Sequence, residues 1–114
     1  EPAIDHADKG FPLTELIAWY LNRSVPFYIS RGFPNIEDTY IRQNGGQLPN
    51  EGQVYKNPYL ANTYRKIASG GRDAFYKGEI AETIGNFMKE QGGFLSAKDL
   101  ATHQSQWVTP VSVN

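Results

Sequence analysis

The sequence predicts a mainly α-helical fold, and three observations carry that prediction. Apolar residues between positions 57 and 104 recur with the 3.6-residue period of amphipathic helices. Residues that favour helix starts precede these periodic runs, and glycine pairs follow two of them. The last ten residues change to the alternating period of a strand. We therefore expect short helices joined by glycine turns, an irregular middle and an edge strand at the carboxyl end.

Residues 1–25 predict two helices. The first covers residues 2–9 and is bounded by a proline at its start and a glycine after its end. The second follows Thr14, whose side-chain oxygen can accept a hydrogen bond from a free amide of the first turn. Pro26 disfavours helical geometry at the residue before it, so we predict that this helix ends at or before Val25. Its buried face is expected to contain Leu16, Ile17, Trp19, Tyr20 and Leu21.

Residues 26–56 predict an irregular region. Glycine and proline interrupt its apolar residues repeatedly, most clearly at Gly45-Gly46 and Pro49. The residues Thr39-Tyr40-Ile41 are the best candidate for a short extended piece. We expect this part of the chain to be mostly loop and the most mobile part.

Residues 57–104 predict a helical core that opens with a well-specified helix. Asn57 can cap this helix. The proline after it has no backbone N–H, but an N–H in the first helical position would have no partner within the helix. The helix is expected to run from Pro58 to about Ser69, where Gly70-Gly71 stops it. A single turn then follows Asp73.

Two further helices complete the predicted core. The second begins at Glu79, whose negative charge favours the amino end of a helix, and stops at Gly92-Gly93. The third begins after Ser96, which can form a capping box with Asp99 three residues later. Leu95 and Leu100 occupy the hydrophobic-staple positions of this third helix.

Residues 105–114 alternate apolar and polar side chains, as an edge strand does. Pro110 fits only an edge strand or the start of one. The sequence offers no second convincing strand as a partner, so we expect residues 105–114 to lead into a sheet that this chain lacks. On this interpretation residues 1–114 are a single helical segment of a larger protein.

The composition of the chain disfavours several classes of partner and of chemical site. The 114 residues are 39% hydrophobic and 20% charged, which is typical of an ordered domain. A net charge of −1 favours neither nucleic acid nor an anionic membrane as a partner. No apolar run is long enough to predict a membrane span. Because the chain has no cysteine, it offers no thiolate nucleophile and no thiolate metal ligand.

Candidate chemical residues are scattered. His6 and His103 lie at opposite ends of the sequence without a metal-ligand spacing, so surface or helix-end positions are the better interpretation. The glycine pairs follow helices and are better explained as helix ends than as phosphate loops. The carboxylates predict solvated faces and caps: Asp5, Asp8, Glu37, Asp38, Glu79, Glu82, Glu90 and Asp99. The sequence therefore predicts no catalytic, no cofactor-binding and no metal-binding residue, and no cofactor.

Aromatic side chains leave one alternative open. Tyr55, Tyr59 and Tyr64 group near the start of the helical core, where they could line a groove for a sugar or a peptide. Packing within the core or against another domain is the simpler interpretation.

The core sequence resembles the γ-glutamyltranspeptidase family, in an internal part of its large subunit. The amino-terminal pattern P-A-I-x-x-A-x-x-G-F-P is similar as well, and the likeness is weakest between Asn22 and Gln53. The matching residues of the core are Leu60, Ala61, Thr63, Ile67, Ala68, Gly71, Asp73, Phe75, Tyr76, Gly78, Ile80, Ala81, Gly92, Gly93, Leu95, Asp99 and Leu100.

The resemblance implies an αββα amino-terminal-nucleophile hydrolase of which this chain is a structural part. In that family a self-processed threonine attacks a γ-glutamyl amide, and its own α-amine acts as the base. Neither the threonine segment nor the donor-binding arginine motif is present here, so no catalytic role transfers to this chain. The implied partners are the rest of the large subunit, the small subunit and γ-glutamyl small molecules such as glutathione. The implied location is periplasmic or extracellular.

Three alternatives remain open at this point. A related acylase of the same superfamily would share these helices and differ in its donor pocket. A catalytically inactive homologue would keep the helices as a binding or scaffold protein. A stand-alone helical interaction module would melt cooperatively and form a tight oligomer by itself, whereas a fragment is expected to self-associate or to expose an apolar patch.

Overall fold

A computed structural model describes residues 1–113 and shows a mainly helical chain with one small sheet. The elements in chain order are α1 (Pro2–Lys9), β1 (Phe11–Pro12), α2 (Glu15–Ser30), α3 (Ile36–Tyr40), a 3₁₀ turn (Arg42–Asn44), β2 (Val54–Tyr55), α4 (Pro58–Tyr76), α5 (Glu79–Glu90) and α6 (Ala97–Thr102). No helix in the described part of the chain combines the length and the apolar character needed to cross a membrane.

The chain divides into two compact units, Glu1–Arg65 (unit 1) and Lys66–Asn114 (unit 2). The boundary between the units lies within α4. The change from irregular region to helical core that the sequence predicts, at residue 56, lies inside unit 1.

Long-range backbone pairing organises unit 1. Strands β1 and β2 pair antiparallel, with Phe11 opposite Tyr55. The pairing continues beyond the strands, because the Leu13 amide donates to the Gln53 carbonyl over 3.0 Å. Five small or medium apolar side chains are buried in this unit: Ala7, Leu13, Ala18, Val25 and Ala61.

Helix α2 is longer than the sequence predicts, and the prediction that it ends by Val25 is wrong. It begins as expected, with the Ile17 amide donating to Thr14 Oγ1, but it continues through Pro26 to Ser30. A proline inside a helix costs about 3 kcal/mol. Burial of Val25 offsets much of this, since burying a valine side chain contributes about 1.5–3 kcal/mol. The Asn22 side chain also donates to the carbonyls of Ala18 and Pro49, which ties the helix to the loop beside it.

The middle region contains one short helix, a 3₁₀ turn and one short strand. Residues Thr39 and Tyr40 lie in α3, so the extended piece predicted at 39–41 is wrong. Charge pairing favours the helical turn here, because Arg42 contacts Asp38 over 2.9 Å and Glu37 over 3.4 Å. Strand β2 also lies in the region predicted as loop.

Two helix starts, those of α4 and α6, follow the sequence prediction closely. The Leu60 amide, just before the unit boundary, donates to Asn57 Oδ1 over 3.0 Å, which confirms the cap of α4. Gly71 leaves the helical region within α4, with φ 63° and ψ −154°, so the helix is kinked there. The capping box of Ser96 and Asp99 is confirmed at the start of α6.

The predicted edge strand is not formed. Residues 103–113 are neither helix nor strand, and their side chains are exposed. A strand needs a neighbour to receive its hydrogen bonds, and the sheet in the described part of the chain contains only β1 and β2. Asn114, the last residue of the predicted strand, lies outside the described residues.

Candidate functional site

The two histidines lie in different units and in unlike surroundings. His6, on α1, meets Phe11 edge to face with ring centroids 6.4 Å apart. His103 follows α6 and stacks on Tyr76 with centroids 5.2 Å apart. Within residues 1–113, no three His, Asp or Glu side chains approach closely enough to hold a metal ion.

A polar cluster surrounds His103 in unit 2. The Arg72 guanidinium lies 4.6 Å from the centre of the Tyr76 ring and donates to the His103 carbonyl. Arg72 and Lys77 both contact the Asp73 carboxylate, over 3.4 Å and 3.2 Å. The cluster therefore joins the end of α4, beyond its kink, to the residue after α6. Both of its cations, Arg72 and Lys77, contact the carboxylate of Asp73.

One pair in this cluster has the residue types of nucleophilic catalysis, and the sequence analysis missed it. Ser105 Oγ lies 3.5 Å from His103 Nε2. That distance exceeds the range of about 2.6–3.2 Å expected for a serine activated by a histidine. The two residues are also exposed and only two positions apart. The pair is therefore a contact between two exposed side chains and not an activated serine. Only the residue types in the sequence could have indicated it.

Six of the eight carboxylates named above take part in ion pairs or a cap among the described residues, namely Asp5, Asp8, Glu37, Asp38, Glu79 and Asp99. Asp8 contacts Arg65 over 2.6 Å, and Glu79 contacts Lys66 over 2.7 Å. A hydrogen bond from Lys9 and its charge lower the pKa of Asp5. Hydrogen bonds from the Ser96 side chain and backbone lower the pKa of Asp99. Both changes favour the charged form, which suits a cap or an ion pair and not a general acid.

Threonine hydroxyls serve the helices. Thr63, Thr83 and Thr102 donate to carbonyls four residues earlier, over 3.1, 2.8 and 3.0 Å. Thr14 accepts at the start of α2. These hydroxyls are therefore used in hydrogen bonds of their own helices.

The tyrosines predicted to group near the start of the core have different surroundings. Tyr55 packs against Phe11 and stacks on Tyr40, with centroids about 6.1 Å away in both cases. Burial, followed by the proximity of Tyr40, raises the pKa of Tyr55. Tyr59 is exposed on α4. Tyr55 thus takes part in packing within unit 1.

A groove of unit 2 lies between α5 and α6 and has a volume of about 600 Å³. Gly85 allows the helices to approach closely, because a β-carbon there would lie 2.7 Å from the Ala97 amide nitrogen. Glu82 and Lys89 are its charged lining residues, and Phe94 at its rim is fully exposed. This groove is open and mostly apolar, and the Ser96 hydroxyl that lines it donates to Asp99 Oδ2 over 2.6 Å as part of the α6 cap.

Comparison with known proteins identifies the family. The family described as Gamma-glutamyltranspeptidase matches residues 1–114, and the chain belongs to it. A glutathione hydrolase-like proenzyme, YwrD of Bacillus subtilis, is 31% identical over 112 residues, which is 98% of this chain and 21% of that relative. The chain therefore spans about a fifth of the curated relatives it matches.

Solved structures share the fold. The γ-glutamyltranspeptidase of Helicobacter pylori superimposes with a TM-score of 0.84 at 28% identity, covering 96% of this chain and 31% of that one. A cephalosporin acylase from Bacillus halodurans superimposes with a TM-score of 0.86 at 32% identity, covering 99% of this chain and 22% of that one.

Proposed function

We propose that this chain is a structural segment of an enzyme that transfers or hydrolyses the γ-glutamyl group of glutathione and related donors. The observation that carries the proposal is the family match over residues 1–114 of a chain that spans about a fifth of its relatives. The described side chains support a structural role, because their carboxylates and threonine hydroxyls are used in caps, ion pairs and helices.

The helices would pack beside the αββα sandwich of the complete enzyme and form part of one wall of its cleft. Residues 105–113 support this arrangement. Trp107, Val111 and Val113 are almost fully exposed and alternate with less apolar neighbours, which is the pattern of a strand that pairs with a sheet. Pairing with that sheet would bury these side chains and satisfy their backbone groups.

Catalysis would then use residues that lie outside this chain. The resemblance implies that an amino-terminal threonine attacks the γ-carbonyl of the donor while its α-amine takes the hydroxyl proton. The γ-amide bond then breaks, its nitrogen leaves with the proton that the α-amine had taken, and the γ-glutamyl ester that remains is resolved by water or by an amino acid or dipeptide. The remainder of the large subunit and the small subunit would be the partners of this chain.

The test uses the full-length polypeptide that contains this chain, assayed for self-cleavage and for release of a chromophore from a γ-glutamyl anilide. We expect His6→Ala and His103→Ala to leave kcat within about twofold, because a general acid or base normally contributes about 10²-fold or more. The variant Ala61→Asp should abolish activity by unfolding unit 1, since Ala61 is completely buried. A hundredfold loss of kcat in a folded histidine variant would overturn the structural assignment.

An acylase is the second candidate, and the close superposition on the Bacillus halodurans cephalosporin acylase favours it. The same polypeptide assayed with a cephalosporin side-chain amide distinguishes the two enzymes by their ratio of kcat/KM values. A polypeptide that neither cleaves itself nor accepts either substrate would indicate an inactive scaffold homologue.

A further inference from the structure

The last turn of α4 presents Arg72 and Tyr76 on one side. Gly71 leaves helical geometry at the kink, with φ 63° and ψ −154°, so the turn that follows has a direction of its own. Arg72 and Tyr76 lie four positions apart in this turn, a spacing that brings side chains together on one face of a helix. The Arg72 guanidinium lies 4.6 Å from the centre of the Tyr76 ring. That distance is within the range of a cation–π contact, so the two side chains hold each other in place.

This pair holds the residue that follows α6 at two points. The His103 ring stacks on Tyr76 with centroids 5.2 Å apart and ring planes 13° from parallel. Arg72 Nη2 donates to the His103 carbonyl. We call Arg72, Tyr76 and His103 the exit clamp. Both the side chain and the backbone of His103 are therefore held from α4.

The carbonyl contact sets the direction in which the chain leaves α6. His103 has φ −60° and ψ 133°, so the backbone becomes extended at this residue. Its carbonyl lies at the end of the helix, where carbonyls have no partner within the helix. Because a peptide unit is planar, the orientation of this carbonyl also fixes the position of the next α-carbon, that of Gln104. Arg72 thus acts on the direction of the backbone, which a contact with the side chain alone would leave free.

A small change of direction at His103 becomes large in the residues that follow. Trp107 lies four residues further along the chain. Four extended residues span about 13 Å, so a rotation of about 20° at His103 would move Trp107 by about 4.5 Å. This displacement is close to the spacing of about 4.8 Å between neighbouring strands of a sheet. The exit from α6 therefore has to be held if residues 105–113 are to meet one particular sheet edge.

We propose that Arg72 is a positioning residue, which through the exit clamp fixes the extended exit from α6 and directs residues 105–113 to the sheet of the complete enzyme. The inference rests on the proposed function, because pairing of residues 105–113 with that sheet is part of it. Arg72 also contacts the Asp73 carboxylate over 3.4 Å. Lys77 contacts the same carboxylate over 3.2 Å without being part of the clamp, so it provides a matched control.

Hydrogen exchange of the full-length polypeptide that contains this chain, followed by mass spectrometry, tests the proposal. In the unmodified polypeptide residues 104–113 should be protected from exchange. Arg72→Ala should raise their exchange rate by about tenfold or more, because a hydrogen bond from a charged donor is lost, and should leave the exchange of α5 unchanged. Lys77→Ala should change the exchange rate of residues 104–113 by less than about twofold.

Two further variants separate the carbonyl contact from the stacked ring. Arg72→Lys keeps the charge beside Asp73, but its ammonium is one bond short of the donating Nη2, so it should raise the exchange rate nearly as much as Arg72→Ala. His103→Ala removes the stacked ring and keeps the carbonyl, so it should raise the exchange rate of residues 104–113 by less than Arg72→Ala does. A larger effect of His103→Ala would overturn the role of the carbonyl contact.

Failure of the exit clamp and failure of the proposed function give different results. If residues 104–113 of the unmodified polypeptide exchange as fast as an unstructured peptide, they do not pair with a sheet, and both the proposed packing and the clamp are overturned. If they are protected and stay protected in Arg72→Ala, the proposed packing stands and the clamp is overturned. An equal rise in the exchange of α5 and of residues 104–113 would show that Arg72 stabilises unit 2 as a whole, and would overturn its positioning role.

Discussion

Units 1 and 2 contain similar helices but are held together differently. Five of the six apolar residues buried in the described part of the chain belong to unit 1, including Leu13 and Val25. Ala81 is the buried apolar residue of unit 2. Unit 1 therefore has more fully buried apolar residues, although large apolar side chains are exposed in both units, such as Trp19 in unit 1 and Phe94 in unit 2.

The range of the hydrogen bonds differs in the same way. In unit 1 the Gly52 amide donates to the Leu13 carbonyl and the Asn57 amide to the Ala7 carbonyl, so residues about 40 or 50 positions apart are joined. In unit 2 the backbone hydrogen bonds of turns and caps join residues at most five positions apart, and the longer contacts of its described residues, such as that of Arg72 with the His103 carbonyl, use side chains. Local devices specify where helices begin and end, but they contribute only about 1 kcal/mol each. We infer that unit 1 stabilises itself and that unit 2 depends more on partners.

The largest predicted effect is on the long-range pairing of unit 1. Gly10 has φ 86° and ψ 176°, a conformation that is essentially restricted to glycine. A β-carbon there would lie 2.5 Å from Val54 Cγ1 and 2.6 Å from the Tyr55 carbonyl oxygen. Gly10→Ala should lower the free energy of unfolding by about 2–4 kcal/mol, from backbone strain together with overpacking. Urea unfolding followed by circular dichroism measures it.

Gly45→Ala is the matched control for Gly10→Ala. Gly45 also has a positive φ, of 81°, but no atom lies within 4 Å of the added β-carbon. Strain alone should then cost about 1 kcal/mol. Equal losses in the two variants would show that the approach of β2 to Gly10 does not matter, and the contrast between the units would lose its main support.

A second prediction concerns the proline that α2 tolerates. Pro26→Ala restores an amide that can donate to the Asn22 carbonyl, so the free energy of unfolding should rise by about 2 kcal/mol after allowing for the greater freedom of the unfolded chain. Pro58→Ala is the control, because a proline in the first helical position sacrifices no hydrogen bond and its loss should be nearly neutral. Destabilisation by Pro26→Ala would mean that unit 1 needs the local geometry that the proline imposes.

A third prediction uses a buried amide of unit 1. The side-chain nitrogen and oxygen of Gln43 are both buried without a hydrogen-bond partner among the described protein atoms. Replacing this amide by an apolar group of similar shape should raise the free energy of unfolding by about 1 kcal/mol in Gln43→Met. Gln53→Met should do the opposite, because Gln53 Oε1 accepts from the Asn50 amide over 2.7 Å. Thermal unfolding of the two variants distinguishes these signs.

The same contrast explains which parts of the fold could be predicted. The starts of α4 and α6 were predictable because Asn57, Ser96 and Asp99 act on amides within three residues of themselves. The pairing of β1 with β2 was not, because its two short strands lie more than 40 residues apart and neither is periodic. The length of α2 was missed for a related reason, since its continuation depends on the burial of Val25 and on contact with Pro49.

For the candidate site, the sequence was informative about individual residues and uninformative about the cluster. The spacing of His6 and His103 gave no metal pattern, and the structure places them in different units. The contacts of His103 with Tyr76 and Arg72 could not be predicted, because a stacked ring 27 residues away and a hydrogen-bond donor 31 residues away leave no periodic signal.

The smallest predicted effect tests the local character of unit 2. Hydrogen bonds from Ser96 lower the pKa of Asp99 from its usual 3.8. A carboxyl group whose pKa is lower in the folded chain stabilises the fold above its unfolded pKa, and this contribution is lost as the pH falls through the folded pKa. The α6 cap should therefore be intact at neutral pH and weaken below about pH 4. The measurement is the rate of amide hydrogen exchange in NMR spectra, which should rise for the α6 amides.

The control is Asp99→Asn. In this variant the exchange rate of the α6 amides, corrected for the intrinsic pH dependence, should no longer change with pH, while unit 1 amides such as that of Leu13 remain protected. Simultaneous loss of protection in both units would show that the cap supports more than its own helix, and that unit 2 is coupled to the core of unit 1.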